Sequence, residues 1–163
     1  FSTAQKHEFW VHVLTSFAAH ESQYKVNAAY DEKLGYNPSS STKLNRTNHS
    51  LGLFQLSYAS AAQPSYKGFC KFDWAQDRGK RISNLDATIF DPKRQINCAV
   101  GMLDYLVGSD GYIARTTYKG RDKRGRKIYD YDGGARFWST LRTNNPVTKH
   151  VINKIRRYKP CGN

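Results

Sequence analysis

The sequence predicts a mainly α-helical fold in one globular domain spanning residues 1–163, and three observations predict it. Apolar residues recur at helical spacing in separate segments near the start, the middle and the end of the chain. Asp91-Pro92 is a strong helix start, with Asp as N-cap and proline at the first helical position. At 163 residues, 39% of them apolar, the chain has the length of one domain and enough material for a substantial core. No internal repeat or linker divides it.

The first helix is expected from Ser2 or Thr3, either a good N-cap, to near Ser22. Its face carries Trp10, Val13, Leu14, Phe17 and Ala18. Residues 27–50, rich in Asn, Ser and turn formers, read as a long surface loop, and long loops in compact domains are seldom idle. SLGLFQLSYASAAQ (50–63) reads as a shorter helical segment ending before Pro64, followed by an irregular stretch to Leu85. The helix begun at Asp91-Pro92 has Ile96, Val100, Leu103 and Leu106 as its apolar stripe and Gly108 as its stop. The basic stretch 115–130 fits a hairpin or an extended loop. A short helix, ARFWSTLR, follows Gly133-Gly134. Asn145-Pro146 cap the last helix, where Val147, Val151, Ile152 and Ile155 recur at helical spacing.

Lys and Arg number 26 against 13 acidic residues, a net charge of +13 that favours a polyanionic surrounding. The charge concentrates in RTTYKGRDKRGRK (115–127) and KIRRYK (154–159), and such runs are most often solvated faces. No stretch approaches the roughly 20 apolar residues of a membrane span. The chain opens FSTAQKHEFW without a leader, and its only methionine is Met102, so it reads as a trimmed piece of something longer. Cys70, Cys98 and Cys161 are too far apart for a zinc knuckle or a CxxC pair. Cys98 reads either as a buried thiol or, in an exported protein, as the disulfide partner of Cys70, which leaves Cys161 free. HEFWVH has one residue too many for the HExxH pattern, and no GxSxG, phosphate loop or EF-hand is present, so neither a metal nor a cofactor is expected.

Glu21 is the next position on the first helix's apolar face, four residues past Phe17 and three past Ala18. Glu at such a place most often ends a helix at a solvated edge. A carboxyl turned toward an interior instead has its pKa raised by lost hydration, and can then give a proton to a leaving oxygen near neutral pH.

Three ordered segments bear on that choice. FAAHESQY (17–24) ends the helix with a Glu-Ser pair, HSLGLFQLSYASA (49–61) holds Gly-Leu-Phe-Gln at 52–55, and YDGGARFW (131–138) follows. With DPKRQINCAVGMLDYL (91–106) between the last two, the set resembles the lytic transglycosylase and goose-type lysozyme superfamily, which cleaves peptidoglycan glycan strands. The resemblance covers most of the chain and implies a lysozyme-like α+β fold with a substrate cleft. It implies that Glu21 is the catalytic acid and that Ser22 holds substrate or orients the acid. Gln55 then lines the sugar groove, Tyr131 hydrogen-bonds near the acid, and Gly52 lets backbone approach the substrate. Phe54 stands where methionine is frequent and would supply an apolar wall. Asp132 stands where asparagine is usual and adds a charge. The loop 31–49 is longer than the family's spacing, with no assigned role.

The resemblance implies cleavage of the MurNAc–GlcNAc bond through an oxocarbenium-like state. A transglycosylase needs Glu21 alone and leaves a 1,6-anhydro end. An inverting hydrolase needs a second carboxylate roughly 6.5–9.5 Å away. Asp31, Glu32, Asp130 and Asp132 are the acids considered for that role, Asp132 foremost. The same acids suggest a locally acidic groove favouring de-N-acetylated glycan. The expected partners are peptidoglycan strands and, through the basic surface, an anionic envelope, for an exported monomer that is periplasmic or secreted. Chitinase or chitosanase activity is the nearest competitor. A nucleic-acid-binding module built on the basic runs is another, but it leaves Glu21 and Gln55 unexplained, and no specific nucleic acid is expected.

Overall fold

The computed structural model describes residues 2–142, 144–145 and 148–158, which fall into two compact units: Phe1–His20 with Leu103–Asn163, and Glu21–Met102. The expectation of a mainly helical fold is overturned by two small antiparallel sheets, so the chain is a mixture of α and β. Both sheets escape a reading by hydrophobic period. One has strands of only three residues, and the other alternates tyrosine with aspartate only over 129–132 and is otherwise largely polar.

In the first unit, α1 (Thr3–Glu21, its last residue belonging to the second unit) starts in a capping box. The Gln5 amide donates to Ser2 Oγ at 3.2 Å and the Ser2 amide donates to Gln5 Oε1 at 2.8 Å. Val13, Phe17 and Ala18 are buried, and the Phe17 ring meets Trp138 with centroids 5.8 Å apart. Near the other end of this unit's chain, the Tyr158 hydroxyl donates to Gln5 O at 3.0 Å and to Glu8 Oε2 at 2.9 Å.

The segment 115–130 is a hairpin: β3 (Ala114–Arg121) pairs with β4 (Lys127–Gly133), with a bulge between Tyr118 and Gly120. ARFWSTLR forms two 3₁₀ turns, Gly134–Arg136 and Ser139–Leu141, instead of a helix. Gly133 explains the break. A Cβ there would lie 1.8 Å from Tyr112 O, and its φ of +57° with ψ of −143° suits only glycine, so the chain turns sharply as it leaves β4. The last helix, α5 (Thr148–Arg156), buries Val151, while Pro146, Val147 and Cys161 lie outside the described residues.

In the second unit, the ends of the supposed surface loop 27–50 are ordered as a sheet, β1 (Ala29–Asp31) against β2 (His49–Leu51), with Asp31 opposite His49. The helix expected over 50–63 is reduced to α2 (Tyr58–Ala61), capped by Ser57, because the preceding residues close a turn. Another short helix, α3 (Trp74–Asp77), begins on the Asp73 cap. Leu44, Leu51, Tyr58, Ile82, Ala87, Ile89 and Phe90 form the core.

The helix at Asp91-Pro92 is α4 (Pro92–Asp110), and the Arg94 amide donates to Asp91 Oδ1 at 2.9 Å as the cap predicts. It passes Gly108 and stops before Gly111, whose φ is +77°. Leu103 and Leu106 of its expected stripe are buried, but the first half is out of phase: Ile96 and Val100 are each 44% exposed, while Gln95, Cys98, Ala99 and Met102 are buried. Two specific bonds set that phase: Gln95 hydrogen-bonds to buried backbone, and Cys98 is joined to Cys70 in a disulfide with Cα atoms 4.3 Å apart.

Candidate functional site

Glu21 is the last residue of α1 and is half-buried; Ser22 behind it is buried. The chain then takes two consecutive left-handed residues, Gln23 at φ 54° and Tyr24 at φ 63°. Non-glycine residues resist that region, so surrounding structure must hold them there. Hydrogen bonds supply the hold. Ser22 O accepts from the Lys25 amide at 3.0 Å, Lys25 O from the Ala28 amide at 3.1 Å, and Ala28 O from the Gly52 amide at 2.8 Å. This relay ties the Glu-Ser pair to the Gly-Leu-Phe-Gln block.

That block is a four-residue loop closed at its base. The Leu51 amide donates to Leu56 O at 2.8 Å, and the Leu56 amide donates back to Leu51 O at 2.9 Å. Gly52 has φ +74° and Gln55 φ +50°, and Gln55 Nε2 donates to Gly52 O at 3.0 Å. Fully buried Gln95 supports the loop from beneath. Its Nε2 donates to Leu51 O at 3.1 Å and Ile89 O at 2.5 Å, and its Oε1 accepts from the Phe54 amide at 3.4 Å. A Cβ on Gly52 would lie 2.2 Å from Gln95 Nε2, so the close approach this glycine permits is to Gln95. Phe54 is 2% exposed and therefore offers no open wall to a sugar. Among the described residues, every non-glycine residue with positive φ (Gln23, Tyr24, Gln55) lies in one of these two segments.

The acids considered for a second catalytic role are engaged. Asp31 is buried; its Oδ1 accepts the Lys33 and Leu34 amides at 2.9 Å each, and its Oδ2 faces His49 Nε2 at 3.4 Å. The Leu34 amide above all, then the Lys33 amide and His49, hold its carboxyl below the ordinary range against the opposing effect of burial. His49 Nδ1 accepts the Asn45 amide at 3.1 Å, which leaves its proton on the nitrogen facing Asp31. Glu32 accepts from Ser50 Oγ.

Tyr131 and Asp132 belong to the other unit, on β4. Asp132 pairs with Arg115, the residue opposite it in register, at 2.5 Å, and Asp130 pairs with Lys119 at 3.0 Å. Facing cations, these acids give no reason to expect a preference for amine-bearing sugars. Tyr131 has the Arg142 guanidinium 4.3 Å from its ring centroid and accepts Asn144 Nδ2 on its hydroxyl at 3.2 Å.

The sequence reading missed Gln95, the Asp31–His49 pair and the tyrosines Tyr118 and Tyr129 beside Tyr131. A signal existed for the last of these, since YDYD at 129–132 alternates as a strand does. Among the described residues, no group of three or more His, Cys, Asp or Glu side chains is placed to hold a metal ion, and no helix is long and apolar enough to cross a membrane. Comparison of the chain with protein-family models, with curated proteins and with solved structures finds no match.

Proposed function

We propose that the chain cleaves peptidoglycan glycan strands at the MurNAc–GlcNAc bond, with Glu21 as general acid, as a member of the lytic transglycosylase and goose-type lysozyme superfamily. The observation that carries the reading is the placement of strained backbone. The left-handed non-glycine residues fall in the two segments that the resemblance marks as acid and sugar groove. Strain of this kind costs about 1–3 kcal/mol per residue and persists where a precise backbone is needed, which is most often at a site.

Glu21 protonates the glycosidic oxygen, and the C1–O bond breaks with its electron pair passing to that oxygen. The resulting carboxylate then takes the proton of the muramic 6-hydroxyl as that oxygen bonds to C1. The engagement of Asp31, Glu32, Asp130 and Asp132 by their own neighbours favours this single-carboxylate course over water activation. The Cys70–Cys98 disulfide supports an exported, periplasmic or secreted enzyme, since such bonds persist in oxidising compartments.

Mass spectrometry of digested peptidoglycan tests the proposal. A 1,6-anhydro end is expected. A free reducing end instead assigns a hydrolase, and cleavage of chitin or chitosan without cleavage of peptidoglycan moves the substrate. Glu21→Gln should lower turnover by about 10²–10⁴-fold, the scale of lost acid catalysis. Substantial residual activity removes Glu21 from the mechanism.

A further inference from the structure

The β3–β4 hairpin carries a row of aromatic rings. Tyr118 lies opposite Tyr129 in register and Tyr131 is two residues further along β4, so the three share one face of the strand pair. Ring centroids are 5.7 Å apart from Tyr118 to Tyr129 and 6.5 Å from Tyr129 to Tyr131. Tyr118 is 54% exposed, and the other two rings are half-buried. The opposite face carries the Arg115–Asp132 pair, and the Lys119–Asp130 pair flanks the bulge, so the shaft of the hairpin is close to neutral. Around the tip, Asp122 pairs with Arg126, and Arg121, Lys123, Arg124 and Lys127 have no carboxylate partner among the described residues.

We propose that this tyrosine row and cationic tip form a docking track for an anionic glycan strand, running along the hairpin from Tyr131 to its tip. The proposal rests on the peptidoglycan reading, which makes a glycan strand the substrate. The placement of charge selects the polymer. Nucleic acid carries a phosphate at every residue and needs cations all along its track, whereas here, among the described residues, the cations without a carboxylate partner are Arg142 against Tyr131 and the four around the tip. A glycan bearing a carboxylate only on alternate sugars matches a neutral aromatic shaft ending in positive charge.

Binding of soluble, uncrosslinked glycan strands to the full chain carrying Glu21→Gln, which does not consume them, is the test. Tyr118→Leu with Tyr129→Leu should weaken strand binding by about tenfold or more, at roughly three- to tenfold per ring. The same change should leave binding of a tetrasaccharide unaltered. Tyr118→Phe with Tyr129→Phe, which keeps the rings, should retain strand affinity. Equal strand affinity in the leucine variant overturns the track, and so does ring-dependent binding of oligothymidine in place of glycan. Cleavage by the wild-type chain is read separately, so loss of the track and loss of the peptidoglycan reading give different results.

Discussion

At the scale of single residues, the Gly-Leu-Phe-Gln loop depends on Gln95. Gln95→Leu fills much the same volume but removes the amide that Ile89 O accepts in a buried place, while Leu51 O keeps the Leu56 amide. A buried carbonyl left so costs about 1–3 kcal/mol, and a loss of that size is expected. The urea midpoint measures it, and a midpoint within error of wild type would show that Gln95 is dispensable. Gly52→Ala should be at least as damaging, because it adds a Cβ against Gln95 at a φ that alanine resists. His20 gives a second residue-level expectation. Burial first, then the charges of Lys154 and His150, lowers its pKa below 6.5, and its Nε2 has no hydrogen-bond partner among the described residues. The folded state therefore takes up this proton less readily than the unfolded state does. Its contribution to stability is complete above pH 6.5 and is lost as pH falls through the lowered value. Thermal melts between pH 7.5 and 5 should show a downward slope that His20→Phe reduces; an identical slope in the variant rules His20 out as the cause.

At the scale of elements, the disulfide is the strongest single constraint on the second unit. It closes a separation of 28 residues, for which the chain-entropy relation gives roughly 3–4 kcal/mol. Reduction should lower the melting temperature by several degrees, and Cys70→Ser with Cys98→Ser should melt where the reduced protein does. If reduction, verified by thiol titration, leaves the melt unmoved, the crosslink adds nothing. The same bond shows why parts of the fold were hidden in the sequence. Two helix starts were legible because their signals are local: Ser2 as an N-cap, and Asp91 ahead of Pro92. The phase of α4 was legible at Leu103 and Leu106 but not in its first half, because Gln95 and Cys98 take the inside through partners 44 and 28 residues away and displace Ile96 and Val100 outward. Likewise Glu21 and Gln55 stood out as motif residues. The strain beside them and the support beneath Gly52 depend on a relay from Ser22 to Ala28 to Gly52 that no local pattern announces.

At the scale of the whole molecule, the net charge of +13 is large enough to govern encounter with an anionic polymer. Ion pairing within the hairpin leaves Arg121, Lys123, Arg124 and Lys127 without a carboxylate partner among the described residues, gathered around one turn, so part of the attraction is local to it. Exposed charges at such a tip are screened over about 10 Å at 0.1 M ionic strength and about 3 Å at 1 M. Cleavage of purified cell walls should therefore slow as salt rises, through KM with kcat nearly constant, because the chemistry at Glu21 takes no part in the approach. Replacing the four tip cations with Gln should lower activity at low salt and flatten the salt dependence, bringing variant and wild type together near 1 M. A salt response unchanged by these four substitutions would move the attraction to the rest of the basic surface. A wild-type rate insensitive to salt would deny the charge any role in binding the wall.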